Sequence, residues 1–221
     1  MFVIRQAELR ALDLSQASEF IEYWRQFYTD NVKVYGSQEQ INYGKELNVG
    51  HDLTPQNLKR LLRWKDPQFL TEEIHGGTAD AHLNPKVQKV LSELPSINAF
   101  RCNKLPDSEY RGVVSNLFPN GVVWRAFLFH LARPAEYPIA DRFVFRAARS
   151  WLGAEKPKSG ETWSDYDKYR SLFVQICQAA GRLQSEPSLE DSHDLTPVLR
   201  LKTVDDALMS FGRFLETFDP E

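Results

Sequence analysis

Leu117-Phe118-Pro119-Asn120-Gly121 separates two apolar helical patterns, and the fold is read outward from it. Before it, Asp107 to Leu117 carries Tyr110, Val113, Val114 and Leu117 on one stripe at helical spacing. After it, Val122 to Ala132 is apolar on nearly every side, with only Arg125 and His130 polar. A helix that is hydrophobic all round belongs inside a core. Pro119 and Gly121 mark a tight turn between the two helices; Gly121 permits a positive φ, and the helix behind it opens with unpaired amides. Those amides and the helix dipole form an anion site suited to a phosphate.

Beyond the second helix, Arg133-Pro134-Ala135-Glu136-Tyr137-Pro138-Ile139-Ala140-Asp141 is a proline-bearing loop. It delivers Asp141, twenty residues past Gly121, to the start of another helix. That helix is expected to turn Phe143, Val144, Ala147, Ala148 and Trp151 inward and to stop at Gly153. An aspartate in such a place is either an N-cap or a carboxylate aimed at an apolar pocket. In the second role it favours attack by water or stabilises a developing positive charge.

A turn glycine, a buried helix, a proline loop, an aspartate and an apolar helix thus follow in order between Leu105 and Gly153. This arrangement resembles the active-site core of the helix-hairpin-helix DNA glycosylases. The resemblance implies an all-α fold of two helical halves, with a central helix-hairpin-helix and a cleft between the halves. It implies that Asp141 is the catalytic carboxylate for cleavage of a base–sugar bond, and that Asn120, Gly121, Val123, Arg142 and Arg146 contact double-stranded DNA. The target base must leave the stack, at a cost of a few kcal/mol that favours damaged or weakly paired bases. The family's turn usually reads Leu-Pro-Gly-Xaa-Gly; here the second glycine survives as Gly121 and the first is Pro119. Val123 stands where strand-cleaving members carry a Schiff-base lysine, so the implied activity is monofunctional. With Cys102 and Cys177 the only cysteines, a four-cysteine iron–sulfur centre is excluded, and the reading takes no metal and no cofactor. A non-catalytic helical module that binds DNA or a protein partner is the alternative.

The remaining patterns are helical as well. Phe20, Tyr23, Trp24, Phe27 and Tyr28 recur at helix spacing behind Ser15 and Ser18, either of which could cap. Thr54-Pro55, Asp66-Pro67 and Asn84-Pro85 each read as a cap followed by proline at the first helical position. Ser164 to Arg182 carries Tyr166, Tyr169, Phe173 and Ile176, and Thr203 with Asp206 resembles a capping box that opens a last helix. Eight or nine helices are expected. Phe2-Val3-Ile4 and Val32 to Tyr35 are β-like but too short for a sheet, and loops are read at Gly36 to Asp52, His75 to Leu83, Glu155 to Glu161 and Glu186 to Pro197. One globular domain over 1–221 is expected, with sub-regions 1–83, 84–153 and 162–221.

The 221 residues are 42% hydrophobic and 26% charged, ordinary values for a soluble globular protein. No run approaches the about eighteen apolar residues that span a membrane. Met1-Phe-Val-Ile-Arg-Gln-Ala-Glu lacks a secretory pattern, and the two cysteines read as buried thiols in a reducing compartment, so a cytoplasmic location is expected. A net charge of −3 argues against wholesale nucleic-acid binding. From Ala99 to Ser150, however, eight basic residues face four acids, while Glu186 to Glu221 holds nine acids and three bases. Arg142, Arg146 and Arg149 form a stripe that tracks a phosphate backbone or is a solvated face. Arg200 and Lys202, in the acidic tail, are expected to contribute little.

His75, Asp80 and His82 have metal-ligand chemistry without a dedicated spacing, and Gly76-Gly77 lacks the lysine of a phosphate loop. Asn42 to His51 mixes aromatic, basic and amide side chains that suit base or phosphate contacts, or make an ordinary loop. Trp64-Lys65, at a helix end, borders a cleft or fills the core.

Overall fold

Every regular element among the described residues, which are 13–28, 43–66, 85–155, 160–183 and 196–218 of the computed structural model, is helical. Ten α-helices follow in order: α1 (Ala17–Trp24), α2 (Tyr43–Glu46), α3 (Pro55–Lys65), α4 (Pro85–Ser92), α5 (Leu94–Arg101), α6 (Asp107–Leu117), α7 (Val122–Ala132), α8 (Arg142–Leu152), α9 (Trp163–Ala179) and α10 (Thr196–Phe218). The all-α expectation holds. The β-like stretches 2–4 and 32–35 lie outside the described residues. None of the described helices is long and apolar enough to cross a membrane.

Local chemistry sets the helix ends. Thr54 accepts from the Asn57 amide and Asn57 reciprocates, a capping box with Pro55 at the first helical position. Thr162 and Asp165 do the same for α9. Gly153 closes α8 in the left-handed region at φ 60°. The start proposed at Asp66-Pro67 falls on residues that are not described beyond Asp66.

Several expectations are corrected. Neither Ser15 nor Ser18 caps α1; Asp13 caps a short 3-10 turn ahead of it by accepting from the Ser15 amide. The stretch read as a loop at Gly36 to Asp52 contains α2. Thr203 and Asp206 do not open the last helix, which begins at Thr196-Pro197; Thr203 instead donates its hydroxyl to the Arg200 carbonyl, as mid-helix threonines do. On α8, Val144, Ala147, Ala148 and Trp151 are buried as expected, but Phe143 is only partly buried, beside Arg213 of α10, and Phe145 is buried as well, its ring 6.0 Å from that of Tyr169 on α9. Cys177 is buried, but Cys102 is exposed, its thiol donating to Asp52 Oδ1.

Burial sorts the helices into two packing groups. α2 to α7 pack among themselves, and α1, α8, α9 and α10 form the second group, with α7 touching α9 across the boundary. Continuous burial from Ala126 to Ala132 gives α7 the interior place that its composition requires. In the second group Phe20 sits edge-on to Trp151 and to Phe211 at 5.2 and 5.4 Å. Each such ring contributes roughly 1.5–3 kcal/mol by leaving water. α8 and α10 cross most closely at Gly212, where an added Cβ would collide with the Phe143 backbone.

Candidate functional site

The loop from Glu136 to Asp141 is where the two packing groups meet, and its backbone is bound carbonyl by carbonyl. Arg170 Nε donates to the Glu136 carbonyl at 2.7 Å, and His130 Nδ1 to that of Tyr137 at 2.6 Å. The Tyr166 hydroxyl donates to the Pro138 carbonyl, the Tyr169 hydroxyl to that of Ile139, and Lys65 Nζ to that of Ala140, each at 3.0 Å. Five consecutive acceptors are thus satisfied by side chains from α9, α7 and α3. Buried carbonyls outside regular structure need such partners, and a loop held this way keeps one conformation.

Asp141 is the residue so positioned. It stands at the N-cap of α8, and its Oδ1 accepts from the amides of Phe143 at 2.8 Å and Val144 at 2.9 Å. Both cap bonds use Oδ1, so Oδ2 is not engaged by the cap. The N-cap reading is therefore realised in the geometry, and the catalytic reading has the second oxygen to work with.

Behind the loop lies a buried polar cluster. His130 is fully enclosed and its Nε2 meets the Tyr43 hydroxyl in a short hydrogen bond. Because a carbonyl only accepts, Nδ1 carries the ring proton and Nε2 accepts from Tyr43. Burial pushes the His130 pKa down to about 3, against a smaller upward pull from the Tyr137 carbonyl. On α10, Lys202 Nζ binds Asp205 Oδ2 at 3.2 Å and Asp206 in a shorter contact. Burial pulls the Lys202 pKa down, but the two carboxylates outweigh it and hold it above the ordinary lysine value. Burial drives Asp205 the other way from a normal carboxylate, up to about 7, with Lys202 opposing and Asp206 and Asp141 reinforcing. One ammonium shared by two carboxylates accounts for the difference between the partners: the Lys202–Asp206 pair is complete, and Asp205 is the acid that gains from a proton. Lys65 is lowered by burial of its amine, while Asp141 and Asp205 pull it back up. The Tyr43 and Trp64 rings meet at 4.5 Å in a tilted arrangement, and Lys202 lies 4.3 Å from the Tyr28 ring. Trp64 and Lys65 therefore border this cluster.

The Asn120-Gly121 turn is built differently from the expectation. Gly121 has φ −114°, so the left-handed conformation is not used. The Gly121 amide bonds the Phe118 carbonyl at 3.2 Å, and Arg125 folds back to donate to the carbonyls of Phe118 and Pro119. No side chain caps α7. Asn120 is exposed, and Gly121 and Val123 are partly exposed at that terminus.

The basic residues are spent mostly inside the molecule. Arg101 donates to the carbonyls of Leu47, Asn48 and Leu131, and Arg133 to that of Phe100. Arg142 and Arg146 both reach Glu216 on α10, at 3.6 and 3.4 Å, and Arg149 pairs with Glu161. Of the stripe, only Arg142 is well exposed, at 74%, against 14% and 16% for the others. Its carbonyl and carboxylate partners make the basic middle mainly a structural feature. Lys202, read as a bystander, is buried at the centre of the cluster.

Sequence reasoning also missed Tyr166, Tyr169 and Asp205 as site residues; Tyr43 falls within the Asn42 to His51 stretch read as suited to base or phosphate contacts, but its place beside His130 was not foreseen. A signal for Asp205 existed: it falls at helical spacing with Leu201, Val204 and Leu208, an acid on an apolar stripe. His75, Gly76, Gly77, Asp80 and His82 lie outside the described residues. Comparison with protein-family models, with curated proteins and with solved structures gave no match.

Proposed function

We propose that the protein is a monofunctional DNA glycosylase, hydrolysing the bond between a flipped base and its sugar with Asp141 as the carboxylate. The observation that carries this reading is the loop of five side-chain-bound carbonyls ending at Asp141. Such preorganisation of one carboxylate beside a buried polar cluster is what stabilisation of a transient sugar cation requires. The uncapped amino end of α7 beside the exposed Asn120 supports phosphate binding at the turn, and Arg142 is the exposed cation nearest Asp141 in sequence. Val123 leaves no amine at the position the family uses for strand cleavage.

The test is release of free base from duplexes carrying a panel of oxidised, alkylated and deaminated bases, with alkali added afterwards to cut abasic sites. Base release that leaves an intact strand until alkali supports the reading; release by wild type and by Asp141→Asn alike removes Asp141 from it.

A second reading, a non-catalytic helical module that binds DNA or a protein partner, is favoured by the use of Asp141 as a helix cap and by the paired arginines. A stable duplex complex without base release from any substrate selects it.

A further inference from the structure

Asp205 lies on the inward face of α10 and is only 5% exposed. Its two oxygens are unequal. Oδ2 takes Lys202, whereas Oδ1 is buried with no hydrogen-bond partner among the described residues. A bare acceptor in a low-dielectric interior is costly, and a proton or a water relieves it. Asp205 also lines a cavity of about 10 Å³ with Tyr43, His130, Pro138, Ile139 and Lys202. That is the size of one water position.

The surrounding groups leave this oxygen to such a water. On α10, Lys202 is already shared with Asp206. His130 of α7 has both ring nitrogens engaged, by Tyr43 of α2 and by the Tyr137 carbonyl. The Tyr169 hydroxyl of α9 is committed to Ile139, and Lys65 of α3 to Ala140. The Lys202 ammonium lies over the Tyr28 ring, and Asp141 adds a negative charge from the loop.

We propose that Asp205 is the second acid of the site, its Oδ1 carrying a proton that it gives to a single water in the cavity and, through that water, to the departing base. The inference rests on the base-release reading above. When the glycosidic bond breaks, its electron pair goes to the base nitrogen, which takes the relayed proton, and Lys202 meets the new Asp205 carboxylate. A water then adds to the sugar carbon through oxygen, and the proton it loses restores the acid. Asp205 acts through water, so it is a positioning residue that stores a proton.

Two measurements test this. Side-chain carboxyl carbon signals of the aspartates, assigned through their own β-carbons, are followed by NMR from pH 4 to 9 in the wild type. One signal, Asp205, is expected to titrate near neutrality and to be missing in Asp205→Asn; titration of Asp205 in the ordinary carboxylate range overturns the proposal without any variant having to fold. On a substrate duplex that the wild type processes, release is expected to fall about tenfold per pH unit above neutrality, as a required acid demands. Asp205→Asn should be at least tenfold slower at pH 6 with little pH dependence. An Asp205→Asn protein as fast as wild type overturns the relay and leaves the glycosylase reading standing. A wild type that releases no base from any duplex overturns the glycosylase reading and the relay with it, even where the near-neutral titration is seen.

Discussion

The Tyr169 hydroxyl donates to the carbonyl of Ile139 at 3.0 Å, which fixes the backbone two residues before Asp141 from a helix of the opposite chain segment. Tyr166 does the same one residue earlier. Both rings are fully buried, and burial raises both phenols far above the ordinary tyrosine range, so they remain donors at any working pH. Tyr169→Phe keeps the ring and removes only the hydroxyl. It should cost about 1–3 kcal/mol, the penalty of an unpaired buried carbonyl. Urea unfolding reads the loss, and amide exchange should quicken around 139–141 while α4 and α5 are unchanged.

Asp141→Asn and Asp141→Ala separate capping from chemistry. Asparagine caps nearly as well as aspartate, whereas alanine loses about 0.5–2 kcal/mol. On the glycosylase reading both variants lose base release, and only the alanine variant loses stability. If release instead follows stability across the two, Asp141 is a cap and nothing more.

Gly212→Ala puts a methyl against the Phe143 backbone at the α8–α10 crossing. Backbone does not yield as a side-chain tip does, so the helices must separate. The expected loss is about 3 kcal/mol, the upper part of the range for overpacking, read as a lowered Tm. Gly112, with nothing within 4 Å of an added Cβ, is the control on α6. There Gly112→Ala should stabilise slightly, by up to about 1 kcal/mol, from helix propensity.

His130 and Asp205 impose opposite pH dependences. The His130 pKa falls from 6.5 unfolded to about 3 folded, so the unfolded chain binds the extra proton between those values. Stability from this group is complete above pH 6.5 and is lost as pH falls toward 3. Asp205 rises from 3.8 to about 7, so the folded chain holds the proton there, and its contribution is lost as pH rises from about 4 to 7. In His130→Asn the acid-side loss should disappear, leaving stability that increases as pH is lowered from 7 to 4. Chemical unfolding at several pH values checks the slope; a variant with the wild-type slope would place the titration elsewhere.

DNA binding should be weak, with a salt dependence corresponding to about three to five released counterions. Arg142→Glu should weaken duplex binding irrespective of sequence, and Lys89→Glu at an exposed position of α4 should leave it unchanged. Arg146→Glu should lower stability, because its side chain is nearly enclosed against Glu216. Equal losses from Arg142→Glu and Lys89→Glu would show that the surface is misassigned. No binding by the wild type at low salt removes the nucleic-acid reading.

The helices were legible in the sequence because their causes are local. The stripe of Tyr110 and Val114, the all-apolar run after Gly121, the Thr54-Pro55 cap and the Gly153 stop each act within one or two turns, and α3, α6, α7 and α8 fall where these signals put them. Where a local signal had two uses, only packing chose between them: Thr203 looked like a cap but bonds back to Arg200 within α10, and of the arginine stripe, read as a phosphate track or a solvated face, Arg142 stays exposed while Arg146 and Arg149 are largely enclosed beside Glu216 and Glu161. The place of Asp141 at the start of α8 was legible from its position in the chain. What only the tertiary structure decided is its setting, since Lys65, His130, Tyr166, Tyr169 and Asp205 come from four helices separated by up to 140 positions. Their spacing carries no period, and the upward shift of Asp205 arises from burial and from the charges of Asp206 and Asp141, against the opposing pull of Lys202, quantities that exist only once α3, α7, α9 and α10 have packed around one loop.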